Sequence, residues 1–156
     1  MRVAVAALLI SASSVLATEP DVASALEELA HSPSRVVLYS LAPHPDPSIP
    51  VDQSFHSYQI RGRADVTEPA ERQALLRALA RGAREANPNV VGACFNPRHG
   101  LRIEKGSYAA DFIICFECLQ VEACGLRVAD GFRTSTAPQV TFDESLRRHN
   151  LPLPQK

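Results

Sequence analysis

The stretch His56-Ser-Tyr-Gln-Ile-Arg-Gly-Arg-Ala-Asp-Val66 alternates in polarity along its whole length. In an extended chain, one side would carry Tyr58, Ile60, Gly62, Ala64 and Val66, and the other side would carry polar or charged residues. A strand with one apolar and one polar face is typical of an antiparallel sheet that covers a core with one face only. This stretch therefore predicts a strand of an antiparallel sheet, and we expect that sheet to be the main layer of the fold.

Helices and further strands are predicted on both sides of this strand. Thr67-Glu68-Pro69 begins a helix to about Ala86, whose buried stripe is predicted to be Leu75, Leu76, Leu79 and Ala83. Shorter helices are predicted over residues 20–31 and 142–149, and strands over residues 35–42, 90–95, 101–105, 109–119, 126–129 and 132–136. Because helices and strands do not alternate strictly, we expect an α+β fold, a mainly antiparallel sheet with helices packed on one face.

The first 17 residues have the pattern of an export signal. A short basic start precedes an apolar run, and Val15 and Ala17 occupy the small-residue positions before a cleavage site. We expect a single domain over residues 18–150, a tail over residues 151–156, and a periplasmic or extracellular location. The apolar run is too short to span a bilayer, so no membrane span is expected.

With 16 basic and 17 acidic side chains, the chain has no excess positive charge that would favour binding to nucleic acid.

Three cysteines and a histidine form the most conspicuous motif, Cys94-x4-His99 followed by Cys115-x2-Cys118. Zinc is one interpretation, because these four residues would make a Cys3His ligand set. However, residues 109–119 are strand-like throughout, and residues three apart in a regular strand point to opposite faces. Cys115 and Cys118 are therefore expected to diverge. Export also favours oxidised sulfur.

Two further interpretations involve reactive thiols. A redox pair requires its Cys-x-x-Cys at the start of a helix, and no helix signal follows Cys118. A nucleophilic thiol could be served by His99, with Asp111 or Glu117 orienting the ring, but the sequence does not show that these residues meet. The favoured interpretation is structural sulfur at all four cysteines, with the disulfide connectivity left open. These positions are Cys94, Cys115, Cys118 and Cys124.

The connection between the two cysteine blocks is the candidate contact surface. Arg98 and His99 lie there between two predicted strands, and polar residues in connections often carry function. The competing interpretation is that Arg98 only pairs with Glu117 or Asp111. The remaining histidines lie in predicted loops or on polar faces and were interpreted as having no functional signal; they are His31, His44, His56 and His149.

The block Cys94-Phe-Asn-Pro-Arg-His-Gly and the block Ile114-Cys-Phe-Glu-Cys-Leu-Gln resemble a group of small uncharacterised bacterial proteins. The resemblance covers residues 36–120 and implies that this region is one unit in a bacterial cell envelope. No activity is known for the group, so the resemblance assigns no catalytic role.

The sequence thus favours an exported non-enzymatic domain that binds a protein or a small ligand, without a cofactor. The alternative is a zinc-binding or thiol-dependent protein that uses Cys94, His99, Cys115 and Cys118.

Overall fold

A computed structural model describes residues 21–33, 35–90 and 92–154. The export signal expected at residues 1–17 lies outside these ranges. The described residues form three helices, α1 Val22–Ala30, α2 Pro69–Arg84 and α3 Gln139–Arg148. They also form seven strands, β1 Arg35–Pro45, β2 Ser54–Phe55, β3 Tyr58–Asp65, β4 His99–Lys105, β5 Tyr108–Cys115, β6 Gln120–Cys124 and β7 Gly131–Arg133.

The strands form one sheet in the order β2-β3-β1-β4-β5-β6-β7. Every neighbouring pair is antiparallel. The α+β prediction is confirmed. The alternate residues of β3 do not share one face, however, because a register irregularity separates Ile60 from Gly62. Tyr58 and Ile60 belong to a smaller apolar cluster, whereas Val66 lies in the main core. Within the described residues, no helix is long and apolar enough to cross a bilayer.

The main core lies between the sheet and the helices. Leu38, Leu101 and Phe112 face this core from three adjacent strands and are fully buried. From α2, the predicted stripe supplies Leu75, Leu76 and Leu79, which are also fully buried. Each side chain of this size contributes about 2 kcal/mol when it leaves water. This layer therefore holds the helices on one face of the sheet, as predicted.

The opposite side of the sheet, which we call the outer face, has a smaller apolar cluster. It consists of Val37, Tyr39, Leu41, Phe55, Tyr58 and Ile113. Its cover includes β2 and the turn that joins β2 to β3, rather than a helix. The outer face is therefore only partly shielded.

Three strand predictions are wrong. Residues 92–98 are irregular rather than part of a strand, and residues 116–119 form a turn that ends β5 at Cys115. The reason is that the 92–98 segment packs on this turn: a Cβ added at Gly92 would lie 2.7 Å from the Cys118 carbonyl oxygen. The predicted strand over residues 126–129 is a turn, and the strands that follow β5 lie earlier than expected: β6 is Gln120–Cys124, and β7 is Gly131–Arg133 rather than residues 132–136.

Candidate functional site

His99 faces the helices and is sealed in the core. Its Nε2 lies 2.9 Å from the Asp143 Oδ1 of α3, and only 3% of its side chain is exposed. Its ring makes edge contacts with Phe116 and Phe142, with centroid distances of 5.1 and 5.9 Å. A ligand therefore has no direct access to the His99 ring.

Arg98 lies near the surface beside Glu117, with 3.9 Å between Nη2 and the Glu117 carboxylate. Its Nε is buried and lacks a hydrogen-bond partner among the described residues. The adjoining cavity has a volume of about 20 Å³. A cavity of this size accommodates about one water molecule. The predicted Arg98–His99 contact surface thus consists of one buried ring and one guanidinium beside a very small cavity.

Cys115 and Cys118 do not diverge, because β5 ends at Cys115 and the chain turns back. Leu119 has a φ of 56°, which closes this turn. The two residues form a disulfide, with 5.2 Å between their Cα atoms. A disulfide was expected, but the divergence was predicted from a strand that the structure ends three residues earlier than Cys118.

Cys94 and Cys124 are both exposed and carry free thiols. The structural role expected of these two cysteines is therefore not seen. The zinc ligand set is not assembled either, because Cys115 and Cys118 are bonded to each other and His99 is bonded to Asp143. Among the described residues, no group of three or more His, Cys, Asp or Glu side chains is arranged to hold a metal ion.

The outer face carries a second histidine–aspartate pair. His56 Nε2 lies 2.7 Å from the Asp111 Oδ2, and 34% of the His56 side chain is exposed. The other ring nitrogen, Nδ1, lies 3.8 Å from the Cys124 Sγ. Asp111 thus orients a histidine ring, as one interpretation of the sequence required, but the ring is His56 rather than His99.

Strand register places most of this cluster in one row across the sheet. Arg102 of β4 is paired with Asp111 of β5, and Asp111 is paired with Cys124 of β6. Side chains of directly paired residues project from the same face of the sheet. The Arg102 guanidinium makes two bonds to Asp111, Nε to Oδ1 at 2.7 Å and Nη2 to Oδ2 at 2.6 Å. This bidentate pair raises the pKa of Arg102 and fixes the carboxylate plane.

His56 reaches this row from the β2–β3 hairpin. Phe55 and Tyr58 are paired, so His56 and Ser57 are the two central residues of the turn. Both have positive φ, 52° and 71°, which is the signature of a type I′ turn. Gly100 provides the space for this hairpin, because a Cβ there would lie 2.9 Å from the Phe55 ring.

A cavity of about 440 Å³ opens beside this hairpin on the outer face. Its walls include the rings of Tyr39 and Phe55, which stack with 4.3 Å between centroids. His56, Arg63 and Arg102 supply polar lining. We call this space the outer-face cavity. It is large enough for a small organic ligand, unlike the cavity beside Arg98.

No family model, curated protein or solved structure matches this chain.

Proposed function

We propose that this protein is an exported domain that binds a small anionic ligand with an apolar body in the outer-face cavity. The observation that carries this proposal is a space of about 440 Å³ that combines an aliphatic lining, supported by the stacked Tyr39 and Phe55 rings, with the Arg63 guanidinium. Ligand sites are commonly concave and mostly apolar, with a few polar groups that fix the orientation of the ligand.

The apolar part of the ligand would lie against Ile49, Val51 and Ile60, the aliphatic side chains of the cavity lining. Val51 is 91% exposed and is therefore accessible to a ligand. The rings of Tyr39 and Phe55 are only 5% and 4% exposed, so they support this wall from behind. An aliphatic wall favours an apolar body, because contact removes apolar surface from water.

The charged part of the ligand would meet Arg63. Arg63 is paired with Tyr39 in the sheet and lines the cavity. Within the described residues it makes no ion pair, whereas Arg102 is committed to Asp111. Asp52 also lines the cavity, so the preferred ligand carries one anionic group near Arg63 rather than several. A guanidinium suits a carboxylate because it can donate two parallel hydrogen bonds.

Two features support the proposed location. The apolar run in the first 17 residues predicts export, and the Cys115–Cys118 disulfide is the oxidised form expected in an oxidising compartment outside the cytoplasm. Both features support a periplasmic or extracellular location.

Binding of phenylacetate, monitored by NMR on isotope-labelled protein, tests this proposal. We expect saturable binding that phenylacetamide, which has the same body without the charge, reproduces only weakly. Arg63→Gln should weaken phenylacetate binding about tenfold or more, because a hydrogen bond to a charged group is lost. The matched control is Arg61→Gln, on the same strand but outside the cavity lining.

Two results would reject this function. One is the absence of saturable phenylacetate binding, and the other is an equal loss of affinity in the Arg63 and Arg61 variants.

A further inference from the structure

Cys124, His56 and Asp111 form a connected thiol–imidazole–carboxylate series on the outer face. The distances are 3.8 Å from Sγ to Nδ1 and 2.7 Å from Nε2 to Oδ2. A nucleophile next to a base, with the base oriented by a third group, is the general arrangement of covalent catalysis. This series goes beyond the binding role, since binding alone requires no nucleophile.

The hydrogen bonds determine which nitrogen of His56 can act as a base. The Asp111 carboxylate only accepts hydrogen bonds, and it already accepts from the Arg102 guanidinium. The proton of a neutral His56 ring is therefore placed on Nε2, which donates to Asp111. Nδ1 is then left with a free lone pair directed towards the Cys124 thiol, so it can accept the thiol proton.

The backbone at His56 is an independent observation. Type I′ turns strongly prefer Asn or Gly at their central positions, because both residues have positive φ. Here the turn holds His56 at 52° and Ser57 at 71°. Unfavourable backbone conformations of this kind are retained where the surrounding structure fixes them, and they concentrate at functional sites.

The Cys124 thiol is accessible, and its surroundings favour the protonated thiol over the thiolate. Burial, followed by the charges of Asp111, Glu122 and Asp130, raises the pKa of Cys124. The residue is nevertheless exposed at the end of β6. Such a thiol requires a base at the moment of attack, and His56 is the basic group in contact with it.

We propose that Cys124 is a nucleophile that is acylated by an ester or thioester of a small carboxylic acid, with His56 as general base and Asp111 and Arg102 as positioning residues. In the first step, Sγ bonds to the acyl carbon and its proton moves to Nδ1 of His56. The bond from the acyl carbon to the leaving oxygen or sulfur then breaks, and His56 returns the proton to the leaving group.

Water completes the cycle. His56 accepts a proton from water as the water oxygen attacks the acyl carbon. The carbon–sulfur bond breaks, the acid is released, and the proton returns to Sγ.

The chain contains a matched internal control, because Cys94 is also an exposed free thiol and no histidine contact is observed for it among the described residues. The experiment compares Cys94→Ser, which keeps Cys124, with Cys124→Ser, which keeps Cys94. Each protein is treated with p-nitrophenyl acetate, and acetylated protein is counted by intact mass. We expect Cys124 to react on the order of 100-fold faster than Cys94, the usual contribution of a general base.

The base is tested in the Cys94→Ser background with His56→Asn. Asparagine readily adopts the positive φ required at this turn, so the hairpin is retained while the ring is removed. We expect the rate to fall to that of Cys94. The pH profile provides a second readout: a base-assisted rate levels off once the imidazole is neutral, whereas the rate of an unassisted thiol keeps rising with its thiolate fraction.

Equal rates at Cys124 and Cys94, or an unchanged rate and pH profile in His56→Asn, would overturn the proposal. Its failure is distinguishable from failure of the binding function. Acetylation that depends on His56 in a protein that does not bind phenylacetate would reject the binding function alone, and phenylacetate binding without His56-dependent acetylation would reject the nucleophile alone.

Discussion

The molecule contains two histidine–aspartate pairs of similar length, one on each face of the sheet. His99 and Asp143 are 2.9 Å apart, and His56 and Asp111 are 2.7 Å apart. The first ring is 3% exposed between two phenylalanines, whereas the second is 34% exposed and touches the Cys124 thiol. The distance within each pair does not distinguish the two pairs. They differ in the accessibility of the histidine ring and in the third group that lies beside it.

This difference separates structural from functional polar groups. On the helix-covered face, the His99–Asp143 pair lies beside Phe116 and Phe142, and the adjoining cavity of about 20 Å³ has room for no more than about one water molecule. On the outer face, the polar row from Arg102 to Cys124 ends at an exposed thiol and adjoins a cavity. A buried and satisfied group stabilises the fold, and an exposed group with a free lone pair can react.

The largest expected effect comes from removing the sealed histidine. His99→Ala should lower the free energy of unfolding by about 3 kcal/mol, because it empties a core site and breaks a buried hydrogen bond. Denaturant unfolding measures this loss. The exposed His44→Ala serves as control and should change stability by less than about 0.5 kcal/mol. His56→Asn should resemble the control, and equal losses at His99 and His56 would contradict the distinction between the two faces.

A smaller effect is expected at Glu71, another buried polar group on the helix-covered side. Its carboxylate accepts from the Ser145 hydroxyl and lies 2.9 Å from Arg148 and 3.3 Å from His149. Burial alone would raise the pKa of Glu71, but Ser145, His149 and Arg148 outweigh it and hold that pKa below its ordinary value. The contacts join α2 to α3.

A lowered pKa in the folded state means that the stabilisation is complete above the ordinary glutamate pKa of about 4.3 and is lost as pH falls through the lower folded value. Glu71→Gln should therefore lose about 2 kcal/mol at neutral pH and less at acidic pH. Thermal unfolding across this range measures the difference. The control is Glu68→Gln at an exposed residue immediately before α2. Parallel pH curves for wild type and Glu71→Gln would exclude this role.

The fold was largely predictable because its periodic segments are long. The leucine stripe of α2 required one buried face, and the structure gives it that face. The alternation over β3 predicted the strand itself, but a register irregularity between Ile60 and Gly62 divides its apolar residues between two clusters. The end of β5 was not predictable from periodicity. Residues 109–119 are apolar almost throughout, and an apolar run alone does not show where a strand stops. The direction of Cys118 was wrong for that reason.

The polar series of Cys124, His56 and Asp111 was missed because its residues are far apart in the sequence. His56 lies 55 residues from Asp111 and 68 residues from Cys124. A His-Ser pair is also not a usual type I′ sequence, so the hairpin that presents His56 was not visible. The pairing of Asp111 with Cys124 depends on the turn at residues 116–119, which the predicted strand obscured. A shorter β5 would have indicated that pairing.

The central claim is that the ligand binds on the outer face of the sheet rather than at the Arg98–His99 connection. NMR shift mapping during phenylacetate titration tests it most directly. The account predicts that the largest shifts occur at Tyr39, Phe55 and Arg63 and saturate together. Saturating shifts centred on Arg98 and His99, with the outer-face residues unchanged, would contradict it.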